Sequence, residues 1–256
     1  MKKILFISIL IQSFVLYAQS ENRILKLSYT NSPVSSHRMT DYDMKSTPTM
    51  ASDYDFRRGI VDHYSLYINL NDRSSVYILD STTQIKPIGY ENIRAALLDT
   101  IISTVITPER KTLKHEWIME QTFYSEGKVG DIKWKLEDET RVINGLNCHK
   151  AIATNFPMLT VWYTKDLPVS NGPSIYQGLP GLVIWSETYS STTEANKIEY
   201  SDDVEKYKAL YEKMYNQFMI EKKKGTNYDK EPLLMVKKGD LFRNQYKFFH
   251  KKPYQE

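Results

Sequence analysis

Apolar residues recur at every second position through most of this chain, and that period switches to threes and fours only once, near its C-terminal third. Alternation of this kind suits half-buried strands, whose neighbouring side chains point to opposite faces of a sheet. Leu25, Leu27 and Tyr29 alternate with Ile24, Lys26 and Ser28. Tyr64, Leu66, Ile68 and Leu70 repeat the pattern, and "SSVYILD" follows the turn-prone Asn71-Asp72, which predicts a hairpin. "HEWIMEQTFY" reads as a strand with Ile118 and Gln121 out of phase, and "TIISTVIT" is β-branched enough for another. Asn144-Gly145 separates "DIKWKLEDETRVI" from "LNCHKAIATN", a strong hairpin signal because both residues tolerate the positive φ of a type I′ turn. "LTVWYT" and "GLVIWSETYS" add two further strands.

The change of period falls at Val204, Tyr207, Tyr211, Met214 and Phe218. Asp202 stands as N-cap with Glu205 three residues on, Lys222 to Lys224 suit the negative end of a helix dipole, and Gly225 can end the helix. The expected fold is mainly β: an antiparallel, strongly curved sheet or partial barrel, with one long helix at about 203–224 packed against it. Residues 31–58 are polar and aperiodic and are expected to form a long loop.

The first twenty residues read as a signal peptide. Lys2 and Lys3 precede an apolar run from Ile4 to Tyr17, and Ala18 offers a small residue for cleavage. Residues 21–256 are then expected to be one exported β-rich domain without a membrane span. Loss of Lys2 and Lys3 lowers the net charge from +3 to +1, which argues against a nucleic-acid partner. Cys148 is the only cysteine, so no internal disulfide can form and the core alone must hold the fold.

Candidate chemistry is sparse. Cys148 and His149 are adjacent, and strand geometry sends adjacent side chains to opposite faces, so they cannot form a dyad. A thiol enzyme or hydrolase would need His63 or His115 beside Cys148, or a use for scattered acids such as Glu137 and Glu139. The five histidines show no metal-ligand spacing, and the "DYD" copies at 41–43 and 53–55 lack the glycine and further oxygens of a calcium loop. No catalytic residue, metal or cofactor is assigned.

One stretch remains, "NGPSIYQGLPGLVIW", where Gly172 to Gly181 holds three of the ten glycines and two of the ten prolines. Pro180 and Gly181 suit the central positions of a type II turn, with positive φ at Gly181, that would launch the next strand. Alternatively, the missing side chains let a partner approach the backbone. Trp134, Trp162, Tyr163, Tyr176 and Trp185 lie in or beside this region, either as core or as the lining of an apolar groove.

The segment Gly178-Leu179-Pro180-Gly181-Leu182-Val183 resembles the signature of the GLPGLI family of exported bacterial proteins, with Val in place of the final Ile. Trp134, Gly145, Cys148 and Lys150-Ala151, and the run "VWYTKDLPVSNGP", resemble that family's flanking segments over about residues 130–190. The family is of unknown function, so the resemblance implies an envelope location and no reaction. The expected role is non-enzymatic binding of a partner, peptide or lipid, the partner being another envelope or outer-membrane protein. Its expected contact residues are Trp162, Tyr176, Gly178, Leu179, Pro180, Gly181 and Trp185.

Overall fold

The computed structural model describes residues 23–33, 60–84, 103–118, 121–156, 159–188, 191–225 and 228–229. Twelve strands line up in one open sheet: β1 Ile24–Pro33, β2 Ile60–Asn69, β3 Ser75–Gln84, β4 Ser103–Ile106, β5 Lys111–Ile118, β6 Gln121–Lys128, β7 Trp134–Ile143, β8 Leu146–Ala153, β9 Thr160–Thr164, β10 Leu182–Glu187, β11 Ser191–Ser201 and β12 Tyr228–Asp229. The spatial order is β12-β6-β5-β4-β3-β2-β1-β11-β10-β9-β8-β7. Strands β1 to β11 pair antiparallel throughout, and the two-residue β12 lies parallel to β6. The central joint is β1 against β11, which brings Leu27 opposite Ile198 and Tyr29 opposite Ala195.

Alternation sorts the core into three clusters. Leu25, Leu27, Tyr29, Leu66, Ile68, Trp162, Leu182 and Ile184 pack together at the centre of the sheet. Their immediate neighbours take different company: Ile24 and Val76 join Val105, Leu113 and Tyr124 beneath the helix. Tyr163 and Val183 pack with Ala151, Val161, Ile175 and Leu179.

Helix α1, Val204–Lys224, seats Tyr207, Met214 and Phe218 on the sheet, each within the predicted apolar stripe. Full burial of such side chains stabilises docking by about 2 kcal/mol apiece. Gly225 ends the helix at φ 68°, as expected, with Lys222, Lys223 and Lys224 in the last turn. The N-cap is Asp203, one residue later than expected, and its carboxylate accepts from the Lys206 amide at 3.0 Å. That shift removes the Asp202–Glu205 capping box, since the third helical position is then a lysine.

The Asn144-Gly145 hairpin forms as expected, with φ of 52° and 79°. The stretch "HEWIMEQTFY" does not form one strand. It divides into β5 and β6, which pair as a hairpin with Ile118 opposite Gln121. Those two residues broke the alternation because the chain reverses between them. Asn31–Pro33, expected in a loop, continue β1, and the remainder of that loop lies outside the described residues.

Candidate functional site

The glycine-rich segment joins β9 to β10 and packs on the protein's own backbone. A β-carbon at Gly181 would stand 2.0 Å from the Thr164 carbonyl oxygen, and one at Gly172 would stand 2.5 Å from that of Tyr176. Both glycines therefore serve internal close approach. The expected positive φ at Gly181 is absent. The left-handed glycine is Gly178, at φ 93°, so the reversal precedes the Pro-Gly pair and the type II assignment is corrected.

Backbone and side-chain hydrogen bonds lock this connection. Val183 N–H donates to Asn171 O at 2.9 Å, and Gly178 N–H donates to Ser170 Oγ at 3.2 Å. Trp134 Nε1–H donates to Gln177 O at 2.8 Å, and Arg110 donates to Ser170 O at 3.1 Å. Leu179 is buried beneath these contacts, while Gly178 and Pro180 are exposed.

The aromatic residues divide between two clusters. Tyr176 and Trp134 pack beside Ile175, Leu179 and Tyr163, and burial pushes the Tyr176 phenol up to about 12. Trp162 and Trp185 belong to the central cluster and face each other as register partners on β9 and β10. Tyr176 and the two tryptophans thus do not line one groove.

What joins Trp162 to Trp185 is a residue that pattern reading passed over. The Arg141 guanidinium carbon lies 4.2 Å from the centre of the Trp162 ring and 4.6 Å from that of Trp185. Lys150 Nζ approaches the Trp162 ring at 6.0 Å and ion-pairs with Glu139 at 2.8 Å. Arg141 is exposed, Trp185 half-buried and Trp162 buried. A guanidinium over an indole face is attracted by the ring quadrupole, and the carboxylates of Glu194 and Glu139 act on the same positive charge.

The arrangement depends on the β7–β8 hairpin. Its turn residue Asn144 donates from Nδ2 to Ala195 O at 2.6 Å, reaching β11 three strands away. Ile143 enters the central cluster on the way. The sheet must bend back on itself at this end for the hairpin to carry Arg141 over both tryptophans. Nothing in the local sequence announces that reach; only the hairpin signal at Asn144-Gly145 was legible.

The thiol chemistry does not assemble. Cys148 is fully buried, its Sγ–H directed to Leu146 O at 3.5 Å, and burial pushes its thiol up to about 11. His149 lies toward Tyr163, with ring centres 5.7 Å apart. His63 bonds to Thr83 Oγ1 at 2.9 Å on β2, five strands from β8, and His115 stacks on Tyr124, eight strands away. Glu137 and Glu139 lie in a bulge of β7, paired with Lys135 and Lys150. Both "DYD" copies lie outside the described residues, among which no cluster of metal-ligand type and no helix long and apolar enough to cross a membrane occurs.

A family described as "Protein of unknown function (Porph_ging)" matches residues 156–185. The match begins just before β9, spans the glycine-rich connection and ends at Trp185. No curated protein matches the chain. Among solved structures, PNGF-II in its C2 form is similar at 18% identity and a TM-score of 0.43, over 70% of this chain and 28% of that one. Its P21 form gives 19% identity at the same TM-score and coverage. An uncharacterized conserved protein from Thermus thermophilus is similar at 8% identity and a TM-score of 0.33, over 72% of this chain and 82% of that one. The chain thus spans little more than a quarter of the length of PNGF-II.

Proposed function

We propose that this chain is an exported, non-enzymatic binding protein of the cell envelope, and that its partner is another envelope or outer-membrane protein. Export rests on the charged start, apolar run and small-residue junction of residues 1–20, followed by one β-rich domain. The GLPGLI resemblance supports the same location.

The observation that carries the binding role is Arg141 lying over both Trp162 and Trp185. A guanidinium stacked over two aromatic rings has less freedom left to lose on binding, which favours its use as a pre-organised donor to an acidic group of a partner. The contact surface of this reading is therefore Arg141 and half-buried Trp185, with buried Trp162 as the ring beneath them, and Tyr176, Gly178, Leu179, Pro180 and Gly181 contribute mainly by shaping β9 and β10.

The test is mild cross-linking in the native envelope, followed by recovery of tagged protein and fractionation of the cells. Wild type is compared with Arg141→Ala and Trp185→Ala, each verified as folded, and with Tyr176→Ala as a control in the other cluster. The expected result is an envelope-fractionated chain that captures one protein, which Arg141→Ala and Trp185→Ala lose and Tyr176→Ala keeps. A cytoplasmic chain would refute export. Equal capture by all four proteins would remove the contact surface from the Arg141 side.

A further inference from the structure

His115 is the least satisfied buried side chain under helix α1. It is 6% exposed, and among the described residues neither Nδ1 nor Nε2 has a hydrogen-bond partner. A neutral imidazole carries one donor and one acceptor, so burying both unpaired is already unfavourable, and burying an unpaired imidazolium is far more so. The ring stacks on Tyr124 of β6 with centres 4.4 Å apart, and Tyr124 meets Phe218 of α1 edge-on at 6.0 Å. His115 is thus the layer beneath the C-terminal half of the helix.

The groups around it are already engaged. From β4 its register partner is Ser103 and from β6 it is Tyr124, with Glu126 two residues on, opposite Leu113. Glu126 ion-pairs with Lys222 of α1 at 2.5 Å. Glu221 of α1 exerts a weak pull toward the charged ring, but its carboxylate holds Lys224 at 2.7 Å. Gln217 donates to the same carboxylate at 3.4 Å. Burial outweighs Glu221 and lowers the imidazole to about 4, so the ring is neutral at pH 7.

The strand beyond the helix ties this seam to the edge of the sheet. Gly225 ends α1, and only residues 226–227 separate it from β12. Tyr228 and Asp229 of β12 pair in parallel with Tyr124 and Ser125 of β6. Helix and terminal strand therefore cover the same part of β6, from its face and from its edge.

We propose that His115 is an acid-operated catch: protonation of its ring releases the C-terminal half of α1 from β5 and β6, draws β12 away, and bares the backbone edge of β6. The charged ring gains water only if the layer above it lifts, and β12 follows the helix cap after only two residues of sequence. The bared edge presents the backbone groups that β6 turns toward β12 in the Tyr124–Ser125 stretch, the form in which a sheet accepts a strand from a partner.

Hydrogen exchange on the full chain, corrected for intrinsic rates, tests this between pH 7.5 and 4.5. In the wild type, amides of Tyr211 to Gly225, and whichever of the Tyr124 and Ser125 amides faces β12, should gain at least about tenfold in exchange below pH 5, while β8 to β10 stay protected. His115→Phe, which fills the same space without a titrating ring, should abolish the gain. No gain, an equal gain across the whole sheet, or an unchanged gain in His115→Phe would each overturn the proposal. The ring of wild-type His115 is followed by NMR in parallel, which keeps the test decisive if the variant fails to fold. A ring midpoint more than about one unit from that of the helix amides would also overturn it.

Discussion

Gly181 lies so close to Thr164 that a β-carbon on it would stand 2.0 Å from the Thr164 carbonyl oxygen. No rotamer relieves that contact, because the obstacle is backbone on one side and a β-carbon on the other. Gly181→Ala should cost more than about 3 kcal/mol in denaturant unfolding, or prevent folding. Gly178→Ala is the instructive comparison. Its β-carbon would meet nothing nearer than 3.5 Å, and the cost is the left-handed φ of 93°, about 1 kcal/mol. Equal losses for the two would refute the close-approach reading of Gly181.

Cys148 should be inert in the folded chain. With its thiol pushed up to about 11 and fully buried, alkylation at pH 8 should run at least about a hundredfold slower than in denaturant. Rapid labelling under native conditions, read by intact mass, would contradict the burial.

The two aspartates before α1 should behave differently. Asp203→Ala removes the carboxylate that accepts from Lys206 N–H and should cost about 1 kcal/mol. Asp202 makes only a 3.7 Å contact with Arg23 at an exposed site, so Asp202→Ala should cost less than about 0.5 kcal/mol. Chemical denaturation of both variants decides which residue is the cap.

Acid sensitivity should trace to His115. Its folded value of about 4 lies below the ordinary 6.5, so the unfolded chain binds the proton first as pH falls. The neutral ring's contribution is complete above pH 6.5 and is lost progressively toward pH 4. That amounts to about 2 kcal/mol at pH 5. Stability measured at pH 7.5 and pH 5 should fall by this much more in wild type than in His115→Phe. A parallel fall in both would assign the acid effect to other groups.

How far the sequence carried these findings varied with the range of the interactions. Alternation around Leu25, Leu66 and Trp162, the helical stripe from Val204 to Phe218 and the Asn144-Gly145 turn are local patterns, and each was legible. The β5–β6 reversal was blurred because Ile118 and Gln121 carry no glycine or proline to mark it. Strand β11 was missed because "STTEANKIEYS" has only Ala195 and Ile198 on its apolar side, and its pairing with β1 supplies the rest. Of the candidate site, Trp162 and Trp185 were legible as aromatics near one motif. Arg141 was not, since its place over them is set by the side chain of Asn144 reaching β11, a contact spanning 51 positions. Tyr176 was grouped with the tryptophans by proximity in sequence, whereas the bend of the β9–β10 connection sends it to another cluster.

The β1–β11 joint has a temporal consequence. Its register couples Ile24 to Ser201 and Pro33 to Ser191, so the strand nearest the start of the described chain finds its second neighbour only after about 160 further residues have been made. Until then Leu25, Leu27 and Tyr29 belong to a half-built sheet with one open side, the kind of intermediate that associates with its own copies. The arrival of β11 is therefore the event that closes this open side and ends the interval in which it is exposed.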